Sequence, residues 1–305
     1  MEKMRLLVID DDPAFTLDLR GVLDRIGLSE PDCTATATEA MGLLCRGLRF
    51  DGILLDLGLR GGAAALCRRI RLLPEHVPTP ILGILGQGEA AEWSEAAAAG
   101  LLGHVSRRLD PEALRQALGT AAEQGRAQRQ ATDAARKLCA LAAESPGDPV
   151  PVVGLRHVLD LDSFGARLHD GPPDRSALAF RVGNATAFAA VSTPVQYQDM
   201  LFHVAAVLAD RLEALGPILT HAGQGEFAAL LDAPLPITPQ KLARELFERL
   251  ADRGLIYDRL GLPRPVLQVG KPMRRGFLRP SAPSVLLARS RRTLLRAASL
   301  PGIAV

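Results

Sequence analysis

The chain has 305 residues, 48% of them apolar and 23% charged, with a net charge of +2. That length is more than one hydrophobic core comfortably supports, so two domains are expected. The small net charge argues for no class of partner, and the four cysteines (Cys33, Cys45, Cys67, Cys139) lie far apart, with no Cys-x-x-Cys pair. With no histidine at ligand spacing either, the pattern excludes a zinc site and a secreted disulfide framework. Glu2, Lys3 and Arg5 precede only a short apolar run, and no stretch reaches membrane-spanning length. No signal peptide and no membrane partner are therefore expected, and a cytoplasmic address is.

Residues Arg5 to Ile9 read as a buried strand that ends in Asp10-Asp11-Asp12 and Pro13. Helical spacing follows over Ala14 to Ile26 (Phe15, Leu19, Val22, Leu23, Ile26), closed by Gly27. A second helix is predicted over Thr38 to Leu48, with Met41, Leu44 and Leu48 inward. Phe50 to Asp56 is an apolar run ending in one carboxylate and bounded by the glycine-rich Arg60-Gly61-Gly62. Such a run reads as a strand buried on both faces of a parallel sheet. A helix over Ala63 to Leu73, a strand over Pro80 to Leu85, a helix over Ala90 to Ala99 and a short strand over Leu101 to Ser106 complete the series. Strand and helix alternating at this spacing predict a doubly wound α/β sheet.

In such a sheet the carboxyl edges of the strands are where ligands bind. Asp10 and Asp11 reach that edge from one strand and Asp56 from another. Clustered carboxylates repel unless a cation sits among them, and a hard divalent ion such as Mg²⁺ fits oxygen ligands. With that charge balanced, Asp56 is a candidate nucleophile toward a phosphoryl donor. On Val8-Ile9-Asp10-Asp11 and Ile53-Leu54-Leu55-Asp56, residues 1 to about 120 resemble a response-regulator receiver domain, a flavodoxin-like fold. The resemblance implies that Asp10, Asp11 and Asp56 hold Mg²⁺ and that Asp56 is the phosphoacceptor. It also implies a sensor histidine kinase or phosphotransfer protein as partner.

The departures fall on the switch half of that pocket. Where receivers carry Ser or Thr at the end of the fourth strand stands Leu85, and Ile81 to Trp93 contains neither residue. The family lysine after the fifth strand corresponds to Arg107, in Arg107-Arg108, which keeps the charge but not the ammonium geometry. The switch aromatic corresponds to His104, expected to be half-exposed, and the proline after the acceptor to Arg60. A constitutive, phosphorylation-independent pseudo-receiver is therefore one alternative.

Asp110-Pro111-Glu112 signals a helix start. No breaker appears before Ser145-Pro146-Gly147, so a connecting helix is expected within 111–145, roughly 50 Å long, with Gly119 and Gly125 weakening its middle. Leu114, Leu118 and Ala121 form one inward seam. Ala127, Ala131, Ala134, Leu138 and Leu141 form a second, spaced by alternate fours and threes. Two arrangements fit this pattern: a parallel helix pair in a homodimer, or a lone helix packed on its own receiver.

From about Val150 the chain reads as a second α/β (α+β) domain. Strands are predicted over Ser176 to Val182 and Val266 to Gly270, and a hairpin over Thr220 to Leu231. Helices are predicted over Asp199 to Leu215, after Thr238-Pro239 (with Leu242, Leu246, Phe247 and Leu250 inward), and over Ser284 to Ala298. The turn Gly223-Gln224-Gly225-Glu226-Phe227 resembles that of the GGDEF diguanylate cyclases, over residues 150–305. Val153-Gly154-Leu155, Gln198-Asp199-Met200-Leu201 and Thr293-Leu294-Leu295-Arg296-Ala297 are similar to further family motifs.

That family cyclises GTP with carboxylate-held metal, and the positions that would do so here are empty of acids. There is no Asp or Glu between Asp174 and Asp199, and the acid at the third turn position corresponds to Gly225, so that only Glu226 remains in the turn. The guanine-reading pair falls near Ser192-Thr193, the phosphate lysine at Ala298, and the product-inhibition pair at Ala214 and Pro217. A catalytically inactive domain that signals by contact with a downstream protein is expected, the alternative being an active cyclase making cyclic di-GMP. After Asp258 the chain has no acid, yet carries Arg259, Arg264, Lys271, Arg274, Arg275, Arg279, Arg289, Arg291, Arg292 and Arg296. A solvated basic face and an anion-binding site both fit that run. Nucleic acid is not expected as a partner, because no helix-turn-helix pattern accompanies it.

Overall fold

The computed structural model describes residues 4–86, 90–142, 147–152, 154–168, 175–274 and 283–298, with the side chains of 90, 139–142, 283 and 295–298 outside the description. Of the residues singled out above, Glu2, Lys3, Ser145, Pro146, Val153, Asp174, Arg275 and Arg279 lie outside it, as do the side chains of Cys139, Leu141, Leu295, Arg296, Ala297 and Ala298. The chain divides into two compact units, Met1–Asp133 and Ala134–Val305.

The N-terminal unit runs β1 (Leu6–Ile9), α1 (Pro13–Arg25), β2 (Asp32–Thr34), α2 (Ala37–Cys45), β3 (Gly52–Asp56), α3 (Ala63–Arg71), β4 (Ile81–Leu85), α4 (Ala90–Ala98), β5 (Gly103–Ser106) and α5 (Pro111–Ala142). The unit boundary falls within α5. All five strands are parallel, in the order β2-β1-β3-β4-β5. This is the flavodoxin-like doubly wound order, which leaves a crevice at the carboxyl ends of β1 and β3.

Alternation along each strand decides which helix it meets. Leu7, Ile9, Ile53, Leu55 and Ile81 pack with Met41, Leu44, Leu66, Cys67, Ile70 and Ala96 of α2, α3 and α4. The intervening Leu6, Val8, Leu54, Leu82 and Ile84 pack with Phe15, Leu19, Val22 and Leu23 of α1 and with Leu114, Leu118 and Ala121 of α5. The first seam of the connecting helix is thus buried. Ala127, Ala131, Ala134 and Leu138, from the second, are exposed.

Several boundaries differ from expectation for local reasons. β2 has no apolar run to announce it; Asp32-Cys33-Thr34 becomes a strand because it pairs with Leu7, Val8 and Ile9. Helix α2 starts one residue before Thr38, because the Thr36 hydroxyl accepts the Glu39 amide at 3.2 Å, and it ends at Cys45, ahead of Leu48. Gly125 serves packing: a Cβ there would lie 2.6 Å from Pro80 Cδ. His104 is exposed and stands edge-on to Trp93.

The C-terminal unit contains β6 (Val158–Leu159), α6 (Leu161–Arg167), β7 (Ser176–Val182), α7 (Ala185–Val191), α8 (Pro194–Leu212), β8 (Pro217–Gly223), β9 (Glu226–Leu231), α9 (Pro239–Leu250), α10 (Gly254–Arg259), β10 (Leu267–Val269), β11 (Met273–Arg274) and α11 (Pro283–Ala298). Its mixed sheet has the order β10-β7-β9-β8-β6, with β11 also on β7; among the described residues only the β6–β8 pair is parallel. Leu286 and Leu287 of α11 pack with Ala177 and Leu230. Helix α8 starts at Pro194, five residues before Asp199, because Thr193 and Gln196 form a reciprocal capping box. It closes at Leu212, and Glu213–Leu215 tightens into a 3₁₀ turn. Phe247 is 62% exposed, against the inward place expected for it. Its neighbours Leu242, Leu246 and Leu250 already fill that face of α9.

Buried histidines, His76 and His221 among them, make the fold acid-sensitive. His76 meets the Leu44 carbonyl through Nε2 at 3.4 Å, and His221 accepts the Val150 amide on Nδ1 at 3.1 Å. Burial pushes each pKa down to about 4. Because the folded values lie below the unfolded one near 6.5, the neutral rings contribute stability fully above that pH. That contribution drains away as pH falls toward 4. His76→Gln is expected to flatten the loss of N-terminal-unit stability across this window by on the order of 3 kcal/mol, followed in urea by the fluorescence of Trp93.

Candidate functional site

Register brings the acids together. Ile9 lies opposite Leu55, so Asp10 and Asp56 are the next residues along the carboxyl edges of β1 and β3. One carboxylate oxygen from each of Asp10, Asp11 and Asp56 lies within 4.8 Å of the others, the arrangement of a divalent-cation site. Asp10 and Asp56 are buried and Asp11 half-buried.

The cluster is held by Arg107, which follows β5. Its Nη1 donates to Asp56 Oδ1 at 2.8 Å, and its Nη2 to Asp10 Oδ1 and Asp12 Oδ2, both at 3.2 Å. The guanidinium lies 4.6 Å over the centroid of the Phe15 ring. Asp12 is also the N-cap of α1, its Oδ1 accepting the amides of Ala14 at 3.0 Å and Phe15 at 3.3 Å. Arg60, at the position where a proline was the family expectation, pairs with Asp11 at 3.1 Å but is 90% exposed, a contact worth little. Leu85 ends β4 beside Asp56's strand and offers no hydroxyl.

Electrostatics follow from these partners. Burial raises the Asp10 pKa, against the Asp12 amide and Arg107, which lower it. Burial works against the charged form of Arg107, but Asp10, Asp12 and Asp56 together hold its pKa above the ordinary value. Asp10 Oδ2 is buried and has no hydrogen-bond partner. An orphaned oxygen on one member of a three-carboxylate cluster is what a hard cation would satisfy, so the donor set fits Mg²⁺.

The hairpin turn of the C-terminal unit has different chemistry. Gln224 and Gly225 take φ of +54° and +69° in a tight two-residue turn. A Cβ at Gly225 would stand 2.5 Å from the Ala185 Cβ, so that position has no room for an acid side chain. Gln224 donates its amide to the Gly147 carbonyl at 2.9 Å, and a Cβ at Gly223 would meet that same carbonyl at 2.5 Å. The one acid of the turn, Glu226, is buried and paired with Arg291 at 2.5 Å. Phe227 is buried beside His221. Asp199 pairs with Arg136 at 3.2 Å, and Arg136 lies over Phe202.

No protein-family model matches this chain, and no curated protein matches it. Several solved structures do. The chain is similar to the receiver domain of a sensor histidine kinase from Pseudomonas aeruginosa with magnesium in its active site cleft, at 18% identity and a TM-score of 0.37, covering 40% of this chain and 98% of that one. It is similar to the signal receiver domain of an HD domain-containing protein from Pseudomonas fluorescens, at 20% identity and 0.39, covering 43% and 94%. A chemotaxis protein from Vibrio cholerae matches at 22% identity and 0.36, covering 39% and 98%. These matches fall on the N-terminal unit.

Sequence named Asp12 only as a strand-end acid and Phe15 only as an inward helix residue, neither as part of the site. The available signal for Asp12 was its place directly before Pro13, an N-cap pattern. Nothing in the sequence placed either residue under Arg107. Asp10→Asn removes a buried charge while keeping an acceptor for the Asp12 amide. It is expected to stabilise the protein at neutral pH. The raised native pKa means that this gain is full above it and vanishes as pH drops below the unfolded value, which denaturant melts at pH 7 and pH 3.5 would show.

Proposed function

We propose that this chain is a response regulator. Its N-terminal unit receives a phosphoryl group on Asp56 from a histidine kinase or phosphotransfer protein. Its C-terminal unit is an inactive GGDEF-like domain that acts by contact with a downstream protein. The observation that carries the first half is the buried carboxylate cluster at the edge of β1 and β3, with Asp10 Oδ2 left unsatisfied. Asp10, Asp11 and Asp56 would hold Mg²⁺, which when bound supplies charge neutralisation to the incoming phosphoryl oxygens. In the transfer, an Asp56 carboxylate oxygen forms the new O–P bond as the donor's N–P bond breaks. The departing imidazole keeps the electron pair and takes up a proton. Arg107, already on Asp56 Oδ1, is placed to donate to the added oxygens.

The inactive reading of the C-terminal unit is supported by its turn. The positions that would carry metal ligands hold no free carboxylate: Gly225 is closed off by Ala185, and Glu226 is neutralised by Arg291. Strand β7 contains no acid. The exposed seam of Ala127, Ala131, Ala134 and Leu138 supports a parallel homodimer through α5. A second reading, the constitutive pseudo-receiver, draws on Leu85 and on the ion pair that already occupies Asp56.

Calorimetric titration with Mg²⁺ is expected to show one site in the N-terminal unit, weakened at least tenfold by Asp56→Asn; no site in the wild type would refute the receiver reading. Incubation with GTP and Mg²⁺ is expected to give no cyclic dinucleotide, and any measurable product would refute the inactive-domain reading. Gly225→Asp is expected to destabilise the protein by about 2 kcal/mol or more in denaturant melts, because the new Cβ meets Ala185 at a left-handed φ.

A further inference from the structure

The carboxylate that would accept a phosphoryl group and the first turn of α1 share one cation. Arg107 donates through Nη1 to Asp56 and through Nη2 to Asp12, and its plane lies on Phe15. Asp12 is the side chain that caps α1, and Phe15 is in its first turn. The five donors of a guanidinium are fixed relative to one another, so Nη1 cannot follow a new partner without carrying Nη2 and the ring stack with it. On the other side of Asp56, the Leu85 side chain has no donor for an anion, and His104 is exposed against Trp93.

We propose that Arg107 is the switch residue of this chain, coupling the charge state of Asp56 to the first turn of α1, so that the phosphorylated signal is displayed on the α1 face. This rests on the reading of Asp56 as the acceptor. A phosphoryl group adds negative charge and strong acceptor oxygens at Asp56. The guanidinium turns toward them and releases Asp12 and the Phe15 ring. The turn Asp12–Thr16 loses its side-chain tether to the sheet edge and keeps the Asp12 amide on Asp10 Oδ1, while the Leu85 side chain at the end of β4 has no hydroxyl to answer with.

The test is amide hydrogen exchange on the full chain with Mg²⁺ alone and with Mg²⁺ plus beryllofluoride, a phosphoryl mimic, with fluorine-19 spectra reporting whether the mimic is bound. In the wild type the mimic is expected to speed exchange across Asp12–Thr16 at least threefold, with no change at Ile84–Leu85 or in α4. Arg107→Ala is expected to bind the mimic more weakly, so that saturating beryllofluoride is used, and to show fast α1 exchange with and without it. Arg107→Lys keeps the charge but has a single nitrogen to place. It is expected to bind the mimic with less than half the wild-type response, and it serves if the alanine variant does not fold. Bound mimic with a response confined to β4 and α4, with no response, or with an unchanged α1 response in the variants overturns the coupling and leaves the acceptor reading standing. Failure of the wild type to bind the mimic overturns both.

Discussion

The N-terminal unit depends on one electrostatic arrangement: a guanidinium shared by carboxylates from β1, from the cap of α1, and from β3. Parallel pairing puts Asp10 and Asp56 side by side in a region that excludes water. Buried like charges at this separation oppose folding unless a cation is built in. Arg107 is that cation in the structure, and Phe15 holds it flat. It does not satisfy everything, since Asp10 Oδ2 remains without a partner. The pocket is thereby stable enough to fold and still deficient in positive charge, the condition for binding a further cation or the partner that brings one.

Arginine in this place has consequences that lysine would not. One ammonium can sit between two acids, but it cannot reach three with fixed geometry and lie on an aromatic ring as well. The same residue that balances the pocket also pins the start of α1. Because Asp12 spends one oxygen on the helix amides and the other on Arg107, the charge pocket and the local helix cap are one network.

Much of the fold was legible in sequence because the N-terminal strands are continuous apolar runs with sharp ends. The alternation of the runs with amphipathic helices predicts the doubly wound sheet, and the acids stand at strand ends where such sheets bind ligands. β2 was not legible, since Asp32-Cys33-Thr34 has no pattern of its own and is a strand only through its neighbour. The early start of α8 was written in Thr193-Pro194 and Gln196, a capping box, while the apolar period drew attention to Asp199 instead. Phe247 shows the limit of reading apolar residues as inward, since one helix face holds only so many. Of the site, the three carboxylates could be named from sequence. The grip of Arg107 on Asp12 and Phe15 could not, because it joins residues more than ninety positions apart.

The two units carry opposite arrangements of charge: acids gathered at one sheet edge, and in the other a turn closed off by Ala185 whose one acid, Glu226, is paired with Arg291. The central claim is that Asp56 is a phosphoryl acceptor. Its most direct measurement is the intact mass of the protein after incubation with acetyl phosphate and Mg²⁺, followed by mapping of the modified peptide. The account predicts one added phosphoryl group, on Asp56, absent from Asp56→Asn and lost at alkaline pH as an acyl phosphate would be. An unmodified wild type, or equal labelling of the wild type and the variant, would contradict it.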